Sequence, residues 1–178
     1  MKWKSVSFFR SGVTAGALAA AWLFLGGSCL FSPGVPPQGR LIGRTNCKSF
    51  PQTNSQASES IRAANQECAE YIYDGKSVLR LKHVNAGFNC CPGTVAADIQ
   101  ITGGEIRIKE KESSSLCDCS CLYDLDYEFV GVAPGIYRIL VIGPYQIESE
   151  PPLEFLIDLS GAASGSYCVE RTHYPWSI

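Results

Sequence analysis

From Cys68 onward the apolar residues recur at every second position, and this period decides what the chain can fold into. Residues two apart share a face of a strand, whereas a helix repeats every three or four. The run "AEYIYDGKSVLRLKHV" (69–84) is interrupted at Asp74-Gly75, a dipeptide suited to a two-residue hairpin turn because both central positions take positive φ. The run "VAADIQITGGEIRIKEK" (95–111) repeats the arrangement. In it Val95, Ala97, Ile99 and Ile101 lead to Gly103-Gly104, and Ile106 and Ile108 follow, interleaved with Arg107, Lys109 and Lys111. A long alternating run covers Cys117 to Val132, and "APGIYRILVIGPY", "PPLEFLIDL" and "GSYCVERTHYPW" supply further extended segments.

About seven to nine short strands separated by turn signals, with no long helical period, predict an all-β, antiparallel β-sandwich. The segment "GVAPGIYRILV" resembles the turn before a late strand in immunoglobulin-like and transthyretin-like sandwiches. There a tyrosine early in the strand bonds back across the corner, the place Tyr137 occupies here; its alternative is a half-buried strand tyrosine.

Nine cysteines in 178 residues suit an oxidising compartment. The start "MKWKSVSFFRSGVTAGALAAAWLFLGGSC" has Lys2, Lys4 and Arg10, then an uncharged apolar run, then small residues before Cys29. This is the layout of a signal peptide over residues 1–28. "LGGSC" resembles the lipobox of bacterial lipoproteins, although Gly26 stands where leucine is usual, and the resemblance implies lipidation of Cys29. The alternatives are ordinary cleavage, giving a secreted protein, and an uncleaved anchor. Residues 29–46, rich in proline and glycine, read as a flexible tether, which leaves 47–178 as one sandwich domain. Within it, Ser58 to Glu67 carries a thin helical stripe.

A lipid on Cys29 leaves eight cysteines, an even number that permits complete pairing. Cys47 and Cys68 are the obvious local pair, leaving Cys90, Cys91, Cys117, Cys119, Cys121 and Cys168 for three bridges. Parity places Cys117, Cys119, Cys121, Tyr123, Leu125, Tyr127 and Phe129 on one face of the long strand, so the thiols are expected to extend an inward stripe. Cysteines two apart in a strand are too distant to pair with each other, and each must look elsewhere.

Other chemistries compete for the same residues. Thiolates from Cys90, Cys91, Cys117, Cys119 and Cys121 form an alternative zinc or copper(I) set, with His83 or His173 in reserve, but the paired Cys-x2-Cys knuckles of structural zinc sites are missing. There is no Cys-x-x-Cys redox motif. Asp124, Asp126 and Glu128 form an acidic face that offers calcium ligands or simply a solvated surface. His83, in phase with Leu79 and Leu81, reads as a hydrogen-bonded histidine at the core edge. In "ERTHYPW", the residues Arg171, His173, Tyr174 and Trp176 form a candidate binding patch. No serine elbow, phosphate loop or metalloprotease helix occurs, so a hydrolase is the weakest reading and no cofactor is expected.

Removal of residues 1–28 leaves 12 of the 15 Lys+Arg against all 17 Asp+Glu, a formal charge of −5. That balance argues against nucleic acid.

The blocks "LKHVNAGFNCCPG", "CDCSCLYDLDYEF" and "GSYCVERTHYPW" resemble a family of secreted bacterial proteins that carries no assigned activity. The resemblance implies an exported β-sandwich and brings no site residue with it. The expectation is therefore a lipid-anchored extracytoplasmic module, structural or binding, that touches the membrane through Cys29 and takes an unknown protein or glycan ligand.

Overall fold

A computed structural model of the chain describes residues 36–50 and 62–173, which lie in one compact unit that begins at Pro33. The expected signal peptide, the Cys29 anchor, Tyr174, Trp176 and residues 58–61 of the expected helix at 58–67 lie outside the described residues; the rest of that segment, 62–67, is not helical but runs through a turn into a strand. Gln66 and Glu67, the last two residues of that helix, belong instead to a strand.

Two sheets pack face to face, as the alternation predicts. One contains β1 (Gln38–Arg44), β6 (Ser120–Val130), β3 (Val78–Asn89), β2 (Gln66–Tyr73) and β9 (Ala163–Glu170), in that spatial order and antiparallel throughout. The other contains β4 (Val95–Thr102), β5 (Glu105–Glu112), β7 (Ile136–Ile142) and β8 (Leu153–Asp158). The chain leaves the second sheet after β5, runs through β6 in the first, and returns as β7 beside β5. This crossover makes the β5–β7 pair parallel, so the second sheet is mixed, not purely antiparallel.

Both expected hairpins form. Gly103 and Gly104, with φ of 56° and 82°, join β4 to β5 in the two-residue turn. The β2–β3 turn is longer than expected: residues 74–77 make the loop, and the Asp74 carboxylate accepts the N–H groups of Lys76, Ser77 and Val78. The Tyr137 hydroxyl donates to the carbonyl of Ala133 at 3.0 Å, so this tyrosine does close the corner before its strand.

The expected tether is corrected in part. Gln38–Arg44 is a sheet strand paired with β6, because Leu41 alternates with Gly39 on the inward side and finds the exposed edge of β6. Gly39 faces Phe129, and a Cβ there would lie 2.6 Å from the Phe129 ring and 2.8 Å from Ile99 Cγ2 of the opposite sheet. The sandwich therefore starts before Cys47.

The core is built from the inward residues of both sheets. Tyr73, Leu79, Leu81, Leu125, Tyr127 and Phe129 come from one, and Ile106, Ile108, Ile139, Val141, Leu153 and Ile157 from the other. Each such side chain contributes about 1.5–3 kcal/mol by leaving water, so this layer is the main stabilising element. Among the described residues no helix is long and apolar enough to cross a membrane.

Candidate functional site

At one end of the sandwich, six cysteines from three chain segments meet in three disulfides: Cys47–Cys121, Cys90–Cys119 and Cys91–Cys117. A fourth, Cys68–Cys168, joins residues directly opposite each other on β2 and β9. Together they use all eight cysteines other than Cys29, and disulfides in this number belong to an oxidising, extracytoplasmic compartment.

Two expectations about the cysteines are overturned. Cys47 does not pair with Cys68: it follows β1, next to β6, while β2 lies beyond both β6 and β3. At about 4.8 Å per strand spacing that separation exceeds what a disulfide spans. The inward stripe of β6 begins at Cys121, not Cys117. Cys121, Tyr123, Leu125, Tyr127 and Phe129 are buried, whereas Cys119 is exposed and Cys117 half-buried in the loop before the strand. As expected, Cys117 and Cys119 avoid each other and take Cys91 and Cys90. With every thiol of the alternative zinc or copper set held in a disulfide, that set offers no free thiolate, and no group suited to a metal ion occurs among the described residues.

Asn89 organises this end, a role that nothing in the cysteine spacing signals. Its Oδ1 accepts the N–H groups of Cys91 (2.8 Å) and Cys117 (3.2 Å), and its Nδ2 donates to the carbonyls of Cys117 (2.6 Å) and Cys119 (3.1 Å). One side chain thus holds both loops in the register the disulfides need.

Inside the sandwich a chain of charged groups links the two sheets. His83 Nε2 meets Glu67 Oε1 and His83 Nδ1 meets Glu110 Oε1, each at 2.7 Å. The Tyr127 hydroxyl donates to the same Glu110 oxygen at 2.8 Å, and Arg171 Nε donates to Glu67 Oε2. All five side chains are buried. Burial works against the charge on His83, but the carboxylates of Glu110 and Glu67 outweigh it and raise its pKa to about 10. The imidazolium and the Arg171 guanidinium thus face two carboxylates, a balanced set without which the burial of any one charge is prohibitive. His83 is hydrogen-bonded as expected, though in the middle of the core and not at its edge.

The parity that revealed the strands also carries the signal for this network. Glu67 shares the inward phase of Ala69 and Tyr73, and Glu110 that of Ile106 and Ile108. A charged residue in an inward position announces a buried partner.

The candidate patch at the C-terminal end separates into two environments. Arg171 is buried, its guanidinium bound to Glu67 and the Pro151 carbonyl, because β9 directs it into the core end, so it is no surface ligand-binding group. His173 is exposed and lies 2.8 Å from Glu150 Oε1. Burial would raise the Glu150 pKa, yet bonds from His173 and Thr172, with the Arg171 charge, hold it down at about 2. Thr172 Oγ1 lies 3.0 Å from the same Nδ1 atom of His173 that meets Glu150. A nucleophilic triad needs the two ring nitrogens on different partners, so this trio is no relay.

The outward face of the five-stranded sheet offers the surface that the interior does not. A hollow of about 690 Å³ lies over β1, β6, β3, β2 and β9. Ile42, at the β1 bulge, and Ile72 are 49 % and 66 % exposed there. Around them the charges are paired: Lys82 of β3 with Asp126 of β6 at 3.5 Å, and Arg62, in the segment before β2, with Glu70 of β2 at 3.2 Å. Arg62 also reaches Ser166 Oγ at 3.4 Å, and Arg80, whose guanidinium lies 3.6 Å from Glu128, completes the cationic side. The acidic face expected on β6 is thus neutralised by basic neighbours: Asp126 and Glu128 by Lys82, Arg80 and Arg40, and Asp124 by Lys48 at 2.5 Å. A calcium ion would have to displace those cations.

No protein-family model, no curated protein and no solved structure matches this chain.

Proposed function

We propose that the chain is an extracytoplasmic binding module, held at a bacterial envelope through lipid on Cys29, whose five-stranded sheet takes a neutral, hydroxyl-rich ligand such as a glycan. The observation that carries this reading is the composition of the hollow: paired charges, Lys82 with Asp126 and Arg62 with Glu70, beside two exposed isoleucines. Paired charges present little net field to attract an ion, but their remaining N–H groups and carboxylate lone pairs still serve hydroxyls as donors and acceptors. Ile42 and Ile72 supply apolar area for the C–H face of a sugar ring. Ser164 and Ser166 on β9 add two hydroxyls at the sheet edge.

The four disulfides fit the rest of the reading. Cross-links let a small domain persist outside the cell, where neither chaperones nor ATP sustain it, and they hold a binding face rigid so that less entropy is lost on association. Titration with neutral hexasaccharides tests the proposal. Binding that is lost in Ile72→Asp and weakly sensitive to salt is expected, and binding governed by salt or unaffected by Ile72→Asp counts against it. The hydrolase reading gains no support among the described residues, where both nitrogens of His83 meet carboxylates and the contacts of His173 to Thr172 and Glu150 share one nitrogen.

A further inference from the structure

Two of the disulfides at the cysteine-rich end lie against each other. The sulfur of Cys90, bonded to Cys119, stands 3.3 Å from the sulfur of Cys121, bonded to Cys47. Both sulfurs are already in disulfides, so the approach is a contact between non-bonded atoms, at a distance from which thiol–disulfide exchange can proceed with little movement. Exposure differs along this series of four sulfurs. Cys119 and Cys47, at its two ends, are exposed, whereas Cys90 is half-buried and Cys121 is buried.

We infer that this end of the sandwich is a thiol-exchange relay: Cys119 is the point of entry for a small-molecule thiol, and Cys47 is the thiol released. The incoming thiolate attacks Cys119 Sγ, forming a mixed disulfide and breaking the Cys90–Cys119 bond, whose electron pair remains on Cys90. The Cys90 thiolate then attacks Cys121 Sγ. That step forms Cys90–Cys121, breaks Cys47–Cys121 and leaves the electron pair on Cys47. One thiol enters and one leaves, with two protein disulfides and one thiol exchanged for two disulfides and one thiol, so no outside oxidant or reductant is needed beyond the thiol itself.

The fold supports each position in this order. Within the Cys90–Cys119 bond, attack selects exposed Cys119 over half-buried Cys90; Cys47 is exposed as well, and the order of the relay is set by which of the two ends reacts first. The Asn89 side chain keeps hold of the Cys117 and Cys119 carbonyls, so the loop stays in place when its disulfide opens. Cys47 has less to retain it. After the bond to Cys121 breaks, the segment beyond β1 remains attached through Thr45 N–H to the Asp124 carbonyl, Lys48 N–H to the Leu122 carbonyl, and the Lys48 ion pair with Asp124. The outcome is a surface thiol just beyond β1. Cys68–Cys168, remote from the series in the sheet order, takes no part.

The test uses reduced glutathione as the thiol and the full disulfide-bonded chain. Brief exposure is followed by acid quench, alkylation and peptide mapping. The inference expects glutathione on Cys119, a Cys90–Cys121 cross-linked peptide, and alkylation of Cys47 at least about tenfold above that of Cys90, because the tethered partner outcompetes thiols in solution. Alkylated Cys90 with Cys47–Cys121 intact overturns it, as does first reaction at Cys91–Cys117 or Cys68–Cys168, or no reaction while the chain is folded. The variant Cys119→Ser gives a second reading without glutathione. Isolation with Cys90–Cys121 bonded and Cys47 free supports the relay, and isolation with Cys90 free and Cys47–Cys121 bonded contradicts it.

Discussion

His83 and Glu110 join the two sheets through a single 2.7 Å contact between Nδ1 and Oε1, placed where a sandwich ordinarily has only hydrocarbon. Glu67 holds the other ring nitrogen. Removal of the imidazole leaves Glu67 paired with Arg171 and takes from buried Glu110 its cationic partner, the situation in which a broken buried pair is strongly destabilising. His83→Leu is expected to lower stability by about 3–5 kcal/mol, as measured by urea denaturation. A loss below about 1 kcal/mol would show that the network carries no charge.

The same contact sets a pH dependence. The folded His83 pKa is raised to about 10 from an ordinary 6.5, so the folded chain binds the proton more tightly than the unfolded one. The resulting stability is fully present below pH 6.5 and is lost as pH rises from there through about 10. Glu150 acts at the acid end. Its folded pKa is lowered to about 2 from 4.5, so its contribution is present above pH 4.5 and is lost as pH falls toward 2. Thermal melting across pH is expected to show a plateau between these windows, and His83→Leu is expected to flatten the alkaline side.

Asn85 combines backbone and side-chain demands at the β3 irregularity. Its φ is 63°, and its Nδ2 donates to the carbonyls of Ala63 and Gln66 while Lys48 Nζ donates to its Oδ1. Asn85→Gly loses the side-chain bonds but keeps the permitted backbone, whereas Asn85→Ala loses both. Denaturation is expected to find both variants destabilised, alanine by about 1 kcal/mol more than glycine.

Disulfide removal is expected to follow loop length. The Cys68–Cys168 bridge spans a separation of 100 residues and Cys91–Cys117 one of 26. In the chain-entropy account the double serine variant of the longer bridge loses about 1 kcal/mol more than that of the shorter. Equal losses would place the effect in folded-state packing instead.

Gly39→Ala tests whether β1 belongs to the fold. The added methyl meets Phe129 and Ile99 Cγ2 at 2.6 and 2.8 Å, so a loss of about 1–3 kcal/mol is expected, where a tether would show none.

Strand parity made much of this structure legible. With the turn residues, it placed both hairpins and the Tyr123-to-Phe129 inward face, since each depends on neighbours within a few residues; the Tyr137 corner rested on a resemblance to known sandwiches and had a half-buried strand tyrosine as its alternative. Parity missed what depends on sheet order. Cys47 and Cys68 are close in sequence, but β6 and β3 separate their strands, and no local pattern reports that separation. The acidic face of β6 reads from the sequence as a solvated surface or a set of calcium ligands, and its neutralisation is not legible there, because the cross-strand partners Lys82, Arg80 and Arg40 lie 44 to 88 residues away in the chain. Glu67 and Glu110 carried a readable signal, inward phase with a charged side chain; their common partner, His83, was read as a core-edge residue.

The outward face of the five-stranded sheet is the proposed binding surface. Its most direct test is heteronuclear NMR of the oxidised protein during titration with neutral hexasaccharides of glucose, mannose and N-acetylglucosamine. Saturable shifts confined to Ile42, Ile72, Arg80, Ser164, Ser166 and their neighbours are predicted for at least one sugar. Shifts confined to the Glu150–His173 end, or none at millimolar sugar, would contradict it.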